Sequence, residues 1–378
     1  LTRGGSLRNG LVLALLLAGC ARKDKVSLDP TLPDGKAVAV GTPDEVLDEA
    51  ASASDPTLRG IALYWRLVGV DAAELTRWVM QGTYDPEVWV QRQVADALLQ
   101  RLDVSQVREM LGDYVGRAAG DPYVRGRVAR GLAAASLPEA SAIEGTWRRV
   151  ETWKGAPLAL AALQIGDAEA ITVIGAALRS AEVRDDDEFF AAVGQSGMPD
   201  LAEAAAAGAA LAEDATAVRL SLLRGLLGDG PGAKVWRDAL RDADGRVQQD
   251  AVGLLLPLPP ELRAQWAAEA KRASDKAAKE MAALFASPSG DRLVKAAKHD
   301  SAVVRRLVQV LARELTGAEA APVVALGLRD DDHDVRRGAL RIAALLGVTS
   351  ERATIEALAR DPRREVRVAA AGALLVLR

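Results

Sequence analysis

The chain has 378 residues, with 48 Lys and Arg against 52 Asp and Glu, for a formal net charge of −4. That sign argues against general binding to nucleic acid, which needs a basic footprint. One cysteine in the whole chain excludes intramolecular disulfides and thiolate metal clusters together.

The first segment opens with Arg3 and Arg8 and no acid, continues with an apolar run from Leu11 to Leu17, and ends on Ala18, Gly19 and Cys20. Positive start, greasy middle and small residues are the order of a secretory signal. The apolar run is too short to cross a bilayer, which takes about 20 apolar residues. The string Leu17-Ala18-Gly19-Cys20 resembles the lipobox of bacterial lipoproteins. The resemblance implies that the Cys20 thiol carries a diacylglycerol, that residues 1–19 are removed as a signal peptide, and that Cys20 begins the mature chain. Two or three acyl chains form a stable anchor, where one alone is marginal. The expected location is therefore the cell envelope, outside the cytoplasm. Ala21, where an Asp would favour the inner membrane, points by the same resemblance to the periplasmic face of the outer membrane if the cell is Gram-negative. The alternative is a buried thiol in an N-terminal helix.

Residues 20–41 are expected to be the lipidated cysteine and a flexible tether: Pro30, Pro33, Gly35 and Gly41 interrupt it, and it shows no periodicity. Order is expected to begin at Thr42-Pro43-Asp44-Glu45, a capping box with Pro at the first helical position. Beyond it, aromatics are scarce at 4 %, alanine and leucine abound, and few runs alternate with period two, so helices are expected throughout.

A unit of about 30 residues then recurs. Its mark is an Asp-Pro or similar turn, then Val-Arg, then an Ala/Leu-rich helix. The mark falls at Arg59, Gln91, Arg125, Arg219, Gln248, Arg305, Arg336 and Arg367, and the last two steps are both 31 residues. About eleven units fit between Thr42 and Arg378. Each reads as a helical pair. The second helix is expected over Val304–Leu315 or Val335–Leu346, capped by Asp300 or Asp332 and ended by Gly317 or Gly347. The first helix of the next pair is expected over Glu319–Leu328 or Glu351–Ala359. Apolar residues at three and four spacing give each helix a face that only a neighbouring pair can bury.

The best copies of the mark are Asp-Pro-Tyr-Val-Arg125 and Asp-Pro-Arg-Arg-Glu-Val-Arg367. The unit resembles HEAT repeats, and more closely the short HEAT-like repeats named from phycobilisome lyases. That resemblance implies an all-α fold, a right-handed α-solenoid over residues 42–378, divergent over 136–212. It also implies that second helices line a concave surface. Arg125, Arg219, Arg305, Arg336 and Arg367 would then join turn carbonyls and acids of adjacent repeats in a ladder.

Chemistry-bearing motifs are scarce. His299 and His333 flank turn acids but lack the spacing that puts two imidazoles on one helical face, so no metal site is expected. There is no Gly-x-Ser-x-Gly elbow; the glycine cluster 228–232 before Lys234 has the wrong spacing for a phosphate loop. No catalytic residue and no cofactor is expected. Arg306, Arg313, Arg337, Arg341, Arg363 and Arg364 stand on or beside the last second helices as a candidate basic strip, set against a solvated face balanced by Asp330–Asp334 and Glu365. Trp147 and Trp153 could mark a ligand edge in the divergent middle.

The expected function is a lipid-anchored envelope scaffold or adaptor without catalysis. Its partner would be the acidic segment of another envelope protein or an anionic envelope polymer, not nucleic acid. The rivals are an enzyme of lyase-like type, with its site in the divergent middle, and a purely structural envelope component.

Overall fold

The computed structural model describes residues 41–117, 120–143, 146–149, 152–180, 187–196, 198–212, 236–253, 255–256 and 260–378. Cys20, residues 21–40, Arg219, Lys234, the glycine cluster 228–232 and the side chain of Trp153 lie outside the described residues, as does part of the span expected to hold eleven units.

Among the described residues the regular structure is helical and no strand occurs. The first pair is α1 (Pro43–Ala51) and α2 (Pro56–Gly69). Then come α3 (Ala72–Thr83), α4 (Val88–Leu99), α5 (Ser105–Gly116), α6 (Pro122–Ala134), α7 (Thr152–Gln164), α8 (Ala170–Leu178), α9 (Asp187–Gln195), α10 (Pro199–Ala209), α11 (Gly245–Gly253), α12 (Pro260–Ala270) and α13 (Lys276–Ala286). The last are α14 (Gly290–Ala296), α15 (Ala302–Ala312), α16 (Gly317–Leu328), α17 (His333–Leu345), α18 (Arg352–Leu358) and α19 (Arg364–Val376). This is the expected all-α architecture of helical pairs packed on their neighbours.

Local chemistry sets the helix ends. At α1, the Thr42 hydroxyl accepts from the Glu45 amide at 3.3 Å and the Glu45 carboxylate accepts from the Thr42 amide at 2.8 Å, with Pro43 at the first turn. The Asp332 carboxylate caps α17, accepting from the amides of Asp334 and Val335. Two expected ends differ. Ser301, not Asp300, stands at the start of α15, and its side chain makes no capping bond. Gly317 does not end α15 but opens α16, because Thr316 and Glu319 form a second capping box there. Gly347 does end α17, with φ +64°, a conformation that favours glycine.

Within the divergent middle, the first helix of one pair is replaced by two 3-10 turns, Pro138–Ile143 and Trp147–Arg149, and Pro157 lies inside α7.

Two compact units divide the chain. The first runs from Ala72 to Pro288. In it α6 packs on α7, α7 on α8, α8 on α10, and α12 on α13. Its core holds Val94, Leu98, Val128, Leu132, Ile174 and Phe285, all buried.

The second unit joins the described residues up to Asp71 to Ser289–Arg378. Its second helices stack in the order α15, α17, α19, α2. The first described pair therefore stacks on the last described pair. Burial explains the fit: Leu58, Ile61, Ala62, Leu63, Trp65 and Leu67 give α2 an apolar face, and Ala369, Ala370, Gly372 and Ala373 give α19 a shallow one. At Gly372 the approach is so close that a Cβ would overlap the Trp65 indole. Without α2, the last repeat of the unit would expose that face to water.

Candidate functional site

The repeat mark builds a ladder of hydrogen bonds between neighbouring pairs. Arg305 on α15 donates from one terminal nitrogen to the carbonyls of His299 and Asp300, both at 2.9 Å. Its other two nitrogens donate to the two carboxylate oxygens of Asp330 at 2.7 and 2.9 Å. One repeat later, Arg336 donates to the carbonyls of Asp330 and Asp331 and, in the same forked way, to Asp361 at 2.8 and 3.0 Å. Each arginine thus satisfies the turn before its own helix and grips the turn of the next repeat. Two parallel bonds from a planar guanidinium fix both register and orientation. The hydrogen bond to Asp330 raises the already high pKa of Arg305, against the opposing effect of burial.

Arg367 continues the rung on one side only, donating to the carbonyls of Asp361 and Pro362. Burial lowers its pKa, with the neighbouring Arg364 acting in the same direction. Arg59 likewise donates to the carbonyls of Ala53 and Ser54 before its own helix. Arg125 departs from the pattern and donates to the Val115 carbonyl at 2.7 Å.

Glutamine fills the rung differently. Gln248 donates to the Asp242 carbonyl at 2.6 Å, while its oxygen accepts from the backbone amides of Ser274 and Asp275. Gln91 likewise donates to the Asp85 carbonyl and accepts from the Asp121 amide. An amide carries both donor and acceptor, so it can take a backbone N–H where arginine needs a carboxylate. The sequence aligned these glutamines with the arginines without showing that they bond to a different partner.

A second rail runs one residue further along. Arg306 donates to both oxygens of Asp332 at 3.0 and 2.6 Å, and Asp332 is also the cap of α17. Gln249 donates to Asp275, the cap of α13, at 3.1 Å. Burial acts to raise the Asp332 pKa, but Arg306 and the Val335 amide outweigh it and hold the carboxyl below its ordinary value.

The six arginines of the expected basic strip fall into separate settings. Arg306 and Arg337 share Asp334, at 3.1 and 3.0 Å. Arg341 lies 3.8 Å over the Tyr64 ring of α2. Arg313 is half-buried at the C-terminal end of α15. Arg363 stands at the cap position of α19 and makes no side-chain capping bond. Arg364, 61 % exposed, reaches Glu49 of α1 only at 3.7 Å. Arg306 and Arg341 are thus engaged within the fold, whereas Arg364 is the exposed member of the set and the half-buried Arg363 makes no ion pair among the described residues.

Other expected residues are structural. His299 accepts the Ser301 amide on Nδ1 at 3.0 Å, and His333 lies 3.6 Å from Asp334. Among the described residues no cluster of His, Cys, Asp or Glu has the arrangement of a metal site. The buried Trp147 indole donates to Asp167 at 3.1 Å, and Arg148 covers the ring at 4.3 Å. In the first unit Arg127 of α6 forms a buried ion pair with Asp96 of α4.

No protein-family profile matches the chain, and neither does any curated protein sequence. Among solved structures, human deoxyhypusine hydroxylase in complex with glycerol aligns with 19 % identity over 74 % of this chain and 98 % of that one, at a TM-score of 0.33. An engineered protein aligns with 14 % identity over 89 % of this chain and 98 % of that one, at a TM-score of 0.28. Likenesses this distant carry no argument about activity. No helix among the described residues is long and apolar enough to cross a membrane.

Proposed function

We propose that the chain is a lipid-anchored adaptor of the cell envelope, built from HEAT-like repeats, which holds an anionic partner along its stacked helices and performs no catalysis. The single observation behind the binding role is the pair Arg363 and Arg364. These cations sit at the head of a second helix where the preceding repeat carries the capping acid Asp332. Interlocked rungs of arginine and aspartate favour a rigid surface, which loses little entropy when a partner docks. The anchor rests on the lipobox string that ends at Cys20. Acylation would confine the adaptor to a membrane surface and raise the effective concentration of any partner held there.

The anchor is tested by expressing the wild type and Cys20→Ser in a bacterial host and weighing the isolated chains. The wild type should sediment with membranes and carry the mass of a diacylglycerol. Cys20→Ser should lose that mass. An unmodified wild-type chain in the soluble fraction would remove the anchor from the proposal.

A further inference from the structure

The second rail is built at Gln249 and Arg306 and is not continued at Arg337. Arg306 reaches Asp332 across 26 residues, and Gln249 reaches Asp275 across 26. The same step from Arg337 arrives at Arg363. In that register an arginine stands where the two built rungs have a carboxylate. Arg337 turns back to Asp334 of its own helix, an acid already bound by Arg306. Arg363 makes no ion pair among the described residues, and Arg364 has only its long contact to Glu49. Glu365, one repeat on from Asp334, is buried and pairs with none of these three arginines.

We propose that Arg337, Arg363 and Arg364 form a binding site for a carboxylate presented by an acidic peptide segment of a partner. The neighbouring repeats show what the missing group is. Asp332 takes two bonds from Arg306 and two from the first-turn amides of α17. A carboxylate entering beside Arg363 takes the same seat, with Arg337 in the role of Arg306 and the amides of Glu365 and Val366 in the role of those of Asp334 and Val335. Arg363 and Arg364 then meet the next acidic side chain along the peptide. Arginine forks match the planar carboxylate, which is the group that Arg305, Arg306 and Arg336 each grip with two bonds. This names the partner chemistry of the proposed adaptor and rests on that reading for its role. The site itself does not depend on the anchor.

The test uses the purified full-length chain in detergent and a fluorescein-labelled hexa-aspartate peptide, read by fluorescence anisotropy, with hexa-asparagine as the uncharged control. Wild type should bind hexa-aspartate and not hexa-asparagine. Arg363→Asp returns the missing acid to the rung, so it should raise Tm while weakening peptide binding at least tenfold. Arg363→Asn, a neutral cap that keeps the helix start, should weaken binding about as much and hold Tm at or above wild type. Lys279→Ala, an equal loss of charge in the other unit, should change affinity less than twofold. The proposal is overturned if Arg363→Asp and Arg363→Asn bind as wild type does. It is equally overturned if wild type ignores the peptide while binding inorganic phosphate or phosphatidylglycerol vesicles. Because no lipid is needed, loss of acylation in Cys20→Ser leaves this outcome untouched, and the two readings fail separately.

Discussion

Arg378 and Asp44 stand 334 residues apart and are joined by a 2.8 Å hydrogen bond from a guanidinium nitrogen to a carboxylate oxygen. Asp44 also takes a 2.6 Å bond from Arg66, whose other terminal nitrogen donates to the Asp44 carbonyl and reaches Asp48. Both ends of the described chain are therefore fastened into one polar cluster beside the apolar contact of α2 with α19. The guanidinium of Arg66 is buried, and it ties α1 to α2.

Arg66→Ala removes the hub of that cluster. Its two acids are 44 % and 53 % exposed, so water can take over their charge once the arginine is gone. A buried hydrogen bond to a charged group contributes about 1.5–3 kcal/mol, and the exposure of the acids reduces this to about 1–2 kcal/mol here. The loss should be local. Hydrogen exchange followed by mass spectrometry should show faster exchange in peptides from 43–69 and unchanged protection in α15 and α17.

The same cluster fixes a pH response. Arg378 lowers the Asp44 pKa, burial opposes it, and Arg66 adds to the lowering. A folded value below the unfolded one means that the stabilising contribution is complete above the ordinary aspartate value, about 3.9. It is lost as pH falls through the folded value. Docking of α2 should thus be constant from pH 8 to 5 and weaken only below about pH 4. Fluorine NMR of 5-fluorotryptophan at Trp65 reads this directly; a shift centred near neutrality would contradict the assignment to Asp44.

Gly372 carries the apolar half of the contact. Gly372→Ala places a methyl group against the Trp65 indole, where a rigid ring and two helix backbones leave little room to yield. Overpacking of this kind costs about 1–3 kcal/mol. The variant should release α2 from α19, and the Trp65 fluorine resonance should move toward its solvent-exposed position with bulk helicity by circular dichroism nearly unchanged.

Local features of this architecture were legible in the sequence. Thr42 and Glu45 bond within one helical turn, so four letters sufficed to place the start of α1. The spacing of Arg305, Arg336 and Arg367 disclosed the repeat because each rung must meet the next turn at a fixed step. Asp300 and Ser301 are both good caps, and composition alone could not choose between them. Gly317 was misread because the Thr316–Glu319 box claims it for the following helix. The charges of the candidate strip were visible, but the partner of Arg306, Asp332, 26 residues away across a repeat boundary, was not. The seating of α2 on α19 left one faint trace: the small residues Ala369, Gly372 and Ala373 along one helix. Nothing in a linear pattern matches that stripe to Trp65.

Arg336→Lys separates charge from geometry in the ladder. Lysine keeps the positive charge but cannot hold the Asp330 and Asp331 carbonyls and both oxygens of Asp361 at once. Asp361 is buried, so its unshared oxygen is left without water. The expected loss is about 1–3 kcal/mol, close to that of Arg336→Ala, and denaturant unfolding of the two variants should nearly coincide. A lysine variant as stable as wild type would show that charge alone suffices at the rung.

The rung between α19 and α2 lacks an acid that can be supplied. Asp330 and Asp361 each stand two residues before the cap position of their helix, and the carbonyl of each accepts from the arginine of that helix. Ala53 holds the equivalent place: it lies two residues before the cap Asp55, and its carbonyl accepts from Arg59 at 3.0 Å. Arg367 corresponds to Arg305 and Arg336, alanine holds the position equivalent to their aspartates, and burial lowers the Arg367 pKa. Ala53→Asp should complete the fork, adding a charge-assisted pair at a half-buried site and stabilising the docked pair by about 0.5–1.5 kcal/mol. Peptides from 43–69 should then exchange more slowly, and Arg367→Ala should abolish the gain. If the gain persists without Arg367, the added aspartate acts elsewhere and the rung equivalence across the first and last repeats does not hold.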